Sequence, residues 1–115
     1  MKLKSILCTV LASAFVTACA KGPDAIKPAD IPLAAYTSSS CSSLSKDLAL
    51  EKSRRETLES AQRSAQTGDA VGVFLLGVPL ASATGGDKEG ELSVSKGKVQ
   101  AIELAMKSKG CRHSI

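Results

Sequence analysis

The chain has 115 residues, with 15 Lys and Arg against 11 Asp and Glu, one His, two Phe, one Tyr and no Trp. That is one small domain at most, and domains of this size are marginal without a staple because folding buries too little surface. The net charge of +4 is spread without a clustered basic face or a set of aromatic stacking partners, so nucleic acid is not expected as a partner.

The first segment is a targeting signal. Lys2 and Lys4 precede an uncharged, mostly apolar run from Ile6 to Val16, and small residues follow. A positive start, an apolar stretch and a small-residue cleavage zone describe a secretory signal. Eleven residues at ~1.5 Å rise are about half of what a ~30 Å hydrocarbon core needs, so the run does not predict a transmembrane helix. Ala18-Cys19-Ala20 would suit an ordinary signal peptidase, releasing a chain that starts at Lys21. Val16-Thr17-Ala18-Cys19 resembles the lipobox of bacterial lipoproteins: an aliphatic residue, two small ones and a cysteine. That resemblance implies a lipidated Cys19 as the new N-terminus, carrying a diacylglyceryl group on its thiol and an acyl chain such as palmitate on its amine. It further implies the outer membrane, because Ala20 rather than Asp follows Cys19, although Lys21 weakens that rule in some bacteria. Loss of residues 1–18 leaves 13 basic against 11 acidic residues, a mixed-charge surface.

Residues 19–40 read as the lipidated N-terminus and a flexible linker. Pro23, Pro28 and Pro32 break helix and favour extended chain, and Ser38-Ser39-Ser40 closes the stretch. A flexible coil of about 20 residues spans roughly 25 Å on average, enough to hold a folded part off a membrane.

From Ser42 to about Gln66 the sequence predicts a helix. Leu44, Leu48, Leu58, Ala61 and Ala65 recur at helical spacing without Gly or Pro, and Ser42 or Ser43 can cap it. Glu51, Arg55, Glu59 and Arg63 form an i,i+4 ladder, the mark of a solvated face. Thr67-Gly68-Asp69 is expected to end or bend the helix. Ala70 to Ala83 is uncharged and too short to span a bilayer as a helix. Gly72 and Gly77 weaken helix there, and Val78-Pro79 marks a turn or a new helix start. Its apolar residues, Val71, Val73, Phe74, Leu75, Leu76, Val78 and Leu80, are the candidate interaction residues. They could cap the protein's own helices, meet a partner or second copy, or dip into a membrane. Gly68-x-x-x-Gly72 has the small-residue spacing that allows close backbone approach. Thr84-Gly85-Gly86-Asp87 predicts a second long helix running to about Ser108, with Leu92, Val99, Ile102 and Met106 as its stripe, Glu103 paired with Lys107, and Gly110 just past its end. Gly97 is a flaw of up to ~1 kcal/mol against Ala unless a neighbour packs closely there.

Two cysteines remain after processing, since Cys8 lies in the signal. In an oxidising compartment Cys41 and Cys111 read as a disulfide. Leu76 lies 35 residues from each. An antiparallel hairpin with similar arms therefore puts both cysteines at its open end and the apolar run at its tip, and disulfide geometry asks for Cα atoms about 4.4–6.8 Å apart. The expected fold is an all-α, disulfide-stapled hairpin over residues 41–111, with a short third helix at the tip and a tail over 112–115.

Cys41 with Leu44, the Gly68-Asp69 break, the apolar run through Pro79 and the Lys96-Gly97…Gly110-Cys111 ending resemble a loose group of small, uncharacterised lipoproteins of Gram-negative bacteria. That resemblance implies a fold and a location but brings no catalytic residues. Gly85-Gly86-Asp87-Lys88-Glu89-Gly90 lacks the ending of a phosphate loop. His113, beside Cys111, has no ligand cluster and no nucleophile fixed beside it. The expectation is a non-enzymatic envelope lipoprotein without metal, cofactor or small-molecule substrate. It would be bound to the membrane through Cys19 and act as a scaffold or binding module, or else assemble with itself through 70–83.

Overall fold

The computed structural model of the chain describes residues 19–78 and 80–112. Residues 1–18, where the signal is expected, Pro79 and residues 113–115, which include His113, lie outside the described residues.

The architecture is an all-α antiparallel hairpin. Helix α1 spans Cys41–Leu76, a single turn α2 spans Leu80–Ala83, and α3 spans Glu89–Lys109 and packs against α1. Thirty-six residues at ~1.5 Å rise make α1 about 54 Å long, so the molecule is a rod.

The seam of that rod is written in steps of four and three. On α1 the buried Leu44, Leu48, Leu58, Gln62, Ala65, Asp69 and Gly72, with half-buried Glu51 and Arg55 between, hold this alternation throughout. A repeat averaging 3.5 residues keeps one stripe against a partner helix along its whole length. On α3 the matching stripe is Leu92, Ser95, Val99, Ile102 and Met106. The apolar part of the seam is concentrated at the open end, where Leu44, Leu48, Val99, Ile102, Ala105 and Met106 cluster with Tyr36 and Cys111 at its edge. A second, smaller cluster joins Ile26, Leu58 and Leu92 at mid-rod.

Both helix ends at the open end are built to meet. The Ser40 hydroxyl accepts a 3.1 Å bond from the Ser43 amide and caps α1, two or three residues earlier than the sequence predicted. Gly110 takes a left-handed conformation (φ 69°), and the Cys111 amide donates back to Met106 at 2.9 Å. This Schellman turn swings Cys111 across to Cys41, and the disulfide closes with Cα atoms 5.5 Å apart.

Two expectations are corrected. Helix α1 does not end at Thr67-Gly68-Asp69 but runs to Leu76, ending where Gly77 adopts φ 74° and its amide bonds to Val73. The glycine and aspartate are tolerated because α2 packs there: a Cβ on Gly68 would stand 3.0 Å from that of Ala81. Helix α3 starts at Glu89, within the reach of the Thr84-Gly85-Gly86-Asp87 start signal, with the Asp87 carboxylate accepting from the Glu89 amide at 3.0 Å. Among the charged pairs, Arg55 meets Glu59 at 3.6 Å, whereas Glu103 reaches across the hairpin to Lys52 at 3.3 Å instead of along its own helix.

The third correction concerns residues 20–40, expected as a flexible linker. They lie along the hairpin as a strap, antiparallel to α1, with Ala20, Pro23 and Ile26 buried. The Lys96 ammonium donates to the carbonyls of Pro23 and Ile26, Ala29 and Ser93 bond through their backbones at 2.8 Å, and the Ser93 hydroxyl donates to Lys27 at 2.8 Å. Near the open end the Lys109 ammonium donates to the carbonyls of Thr37 and Ser39. Proline-rich chain has few backbone donors and cannot coil, so it pairs its carbonyls with donors from a neighbouring helix. Gly97 makes room for it: a Cβ there would fall 2.2 Å from the Ala29 carbonyl oxygen.

Candidate functional site at the hairpin tip

Among the described residues the last two turns of α1 have no partner helix beyond α2, and their large side chains face outward. Phe74 is 88% exposed, Leu75 68% and Leu76 67%; Val71, Val73 and Val78 are also exposed. Leu80 opens α2, and its side chain lies outside what is described. Thus six of the seven apolar residues singled out in the sequence form one uncovered tip, and the expectation that they cap the protein's own helices does not describe them. From Ala70 to Gly86 no side chain is charged.

A polar collar lies just below. Asp69 is 1% exposed, yet it sits in the seam. Its carboxylate accepts from the Ser82 amide at 2.7 Å, from the Ser82 hydroxyl and from the Ala20 amide at 2.6 Å. Burial alone would push this carboxyl up. The hydrogen bonds from Ser82, Ala20 and Ala81 outweigh that effect and hold it below the usual carboxylate range. Asp69 thereby joins α1, α2 and the start of the strap.

Two turns nearer the open end, fully buried Gln62 does the same for α3. Its amide nitrogen donates to the Lys21 carbonyl at 2.8 Å and to Asp87 at 2.9 Å, and its oxygen accepts from the Lys88 amide at 2.7 Å. On the surface beside it Lys21 pairs with Glu89 at 2.9 Å.

Cys19 precedes this collar, exposed and with a free thiol. Because Ala20 is bonded to Asp69, the strap enters at the tip end of the rod. Cys41 and Cys111, the other predicted site residues, are brought together at the opposite end.

Sequence reading identified the apolar tip and the staple but missed Asp69 and Gln62. Their signal was positional: both continue the four-and-three stripe of Leu44, Leu48 and Leu58, where a polar residue must find partners. The described surface has an open groove along α3 near Gln100, Glu103, Leu104 and Lys107, with Glu103 already paired to Lys52. Among the described residues no three His, Cys, Asp or Glu side chains gather as metal ligands, and no helix is long and apolar enough to cross a membrane. No protein-family model, curated protein or solved structure matches this chain.

Proposed function

We propose that this chain is a non-enzymatic lipoprotein of the bacterial cell envelope. It is held by lipid on Cys19 at the periplasmic face of the outer membrane and serves as a scaffold or binding module for another envelope component. The observation that carries this reading is Val16-Thr17-Ala18-Cys19 at the end of an apolar, Lys-led signal. An exposed Cys19 thiol and a disulfide between the other two mature cysteines are in keeping with it. Two or three acyl chains at ~0.8 kcal/mol per buried methylene hold a protein durably, where one chain does not. The stapled rod, its charged flanks and the α3 groove are then the surfaces offered to the partner.

Intact mass of the protein purified from membranes tests the anchor. The expected result is an N-terminus at Cys19 with a lipid-sized addition, and two thiols that react only after reduction. A chain starting at Lys21 without lipid would refute it.

A second reading is self-assembly through 70–83, favoured by the exposure of Phe74, Leu75 and Leu76. Crosslinking across a range of concentrations decides it: a monomer at every concentration refutes self-assembly.

A further inference from the structure

We propose that the hairpin tip is a membrane-insertion element. With Cys19 anchored, the last turn of α1, bearing Phe74, Leu75 and Leu76, enters the same leaflet as the lipid, and the rod stands upright with the disulfide end farthest from the bilayer. This rests on the lipid anchor proposed above and adds a second, independent contact with the membrane.

Three observations carry it. First, the tip is an exposed apolar cluster, not a scattered residue: Phe74, Leu75 and Leu76 are adjacent and each more than two-thirds exposed. Clusters of that kind mark a surface that meets something apolar. Second, its place relative to the anchor is fixed. The Ala20 amide is bonded to Asp69, and Leu76 lies seven residues farther along α1, about 10 Å by helical rise. A lipid on Cys19 therefore meets the membrane just below the tip, and the tip projects past it by the ~5–10 Å to which interfacial helices immerse their apolar faces. Third, the projecting part is free of charge. No charged residue lies between Ala70 and Gly86. The Gly77 amide is bonded to Val73, and the bordering Asp69 and Asp87 are engaged by Ala20, Ser82 and Gln62.

A second copy fits less well as the occupant. Two rods meeting tip to tip would point their Cys19 anchors at each other, whereas one bilayer needs both anchors directed the same way.

The chain has no Trp, so a single one reports its own site. Phe74→Trp marks the tip. Leu50→Trp, at a position 72% exposed and 24 residues back along α1, marks a site about 36 Å away. Each protein is purified from membranes and reconstituted into vesicles of phosphatidylethanolamine and phosphatidylglycerol, with and without brominated acyl chains. The expected result is a blue-shifted Phe74→Trp emission that the brominated chains quench at least about threefold more than Leu50→Trp, as shallow immersion of the tip alone requires. Equal quenching at both positions would mean a rod lying flat and would overturn the proposal. So would an unquenched, red emission at the tip. A blue shift without quenching would overturn it too, since protein rather than lipid would then cover the tip. The intact mass reads the anchor and the quenching reads the tip, so either can fail without the other.

Discussion

The carbonyl oxygen of Ala29 lies 2.2 Å from the point where any side chain on Gly97 would begin. Glycine in mid-helix costs up to ~1 kcal/mol against alanine, and here that cost is what lets the strap lie flat on α3. Gly97→Ala should therefore destabilise the protein despite the better helix former. Pushing backbone away from a packed face costs about 1–3 kcal/mol. At roughly 4–8 °C per kcal/mol for a domain this small, the melting temperature should fall measurably by circular dichroism. An unchanged or higher melting temperature would show that the strap does not lie on α3. Amide exchange at Ala29, bonded to Ser93, should accelerate in the same variant.

Asp69→Asn should cost about 1–3 kcal/mol at neutral pH, because an amide cannot accept every bond that the carboxylate takes from Ala20 and Ser82. The pH dependence follows from the direction of the shift. The folded carboxyl titrates below the unfolded one, so its contribution is fully present above the unfolded value near 3.9 and is lost as pH falls through the lowered folded value. Wild type should lose stability to urea below about pH 4 more steeply than Asp69→Asn. Parallel curves for the two proteins would refute the role given to this carboxylate.

Reducing Cys41–Cys111 removes a link across 70 residues of sequence. The chain-entropy account assigns about 4 kcal/mol to a loop of that length. Much of the apolar seam lies at this end, so the double variant Cys41→Ser/Cys111→Ser should lose most of its stability in guanidinium titration. A loss below about 1 kcal/mol would mean that the helices hold themselves together without the staple.

Phe74→Ser should leave stability almost unchanged, within about 0.5 kcal/mol, because the side chain is 88% exposed and no packing is lost. A large drop in the melting temperature would place the ring in a contact that the monomer does not show.

The helical class, the antiparallel hairpin, the staple and the apolar tip were legible because each is a matter of period and count. Leu44, Leu48 and the α3 stripe repeat at helical spacing, and Leu76 is equidistant from Cys41 and Cys111. What was not legible was how polar residues would be used. Gly68-Asp69 reads locally as a helix end, but Ser82 and Ala20, 13 and 49 residues away, satisfy the aspartate inside a continuous helix. Prolines between Pro23 and Pro32 read as linker. The donors of Lys96 and Ser93, some 70 residues on, and the packing of Ile26 on Leu58 and Leu92 turn that stretch into packed chain. Long-range hydrogen bonds leave no periodic trace in a sequence. The condition attached to Gly97, a closely packed neighbour, was met by a segment not expected to pack at all.

The strap also reverses the polarity that covalent connectivity would impose. By bonds alone, Cys19 leads through residues 20–40 to Cys41, so a lipid on Cys19, as proposed above, would be tied to the stapled end of the rod. The strap's hydrogen bonds to Asp69, Gln62, Ser93 and Lys96, together with the burial of Ala20, Pro23 and Ile26, bring Cys19 back to the tip. Peeled off, 21 residues extend to about 70 Å, and the rod would hang inverted from its stapled end on a long leash. Under the anchoring proposed above, orientation at the membrane would then be held by the contacts between strap and rod. Lys96→Ala, which removes two of them, should weaken the preferential lipid quenching of Phe74→Trp while the rod stays tethered.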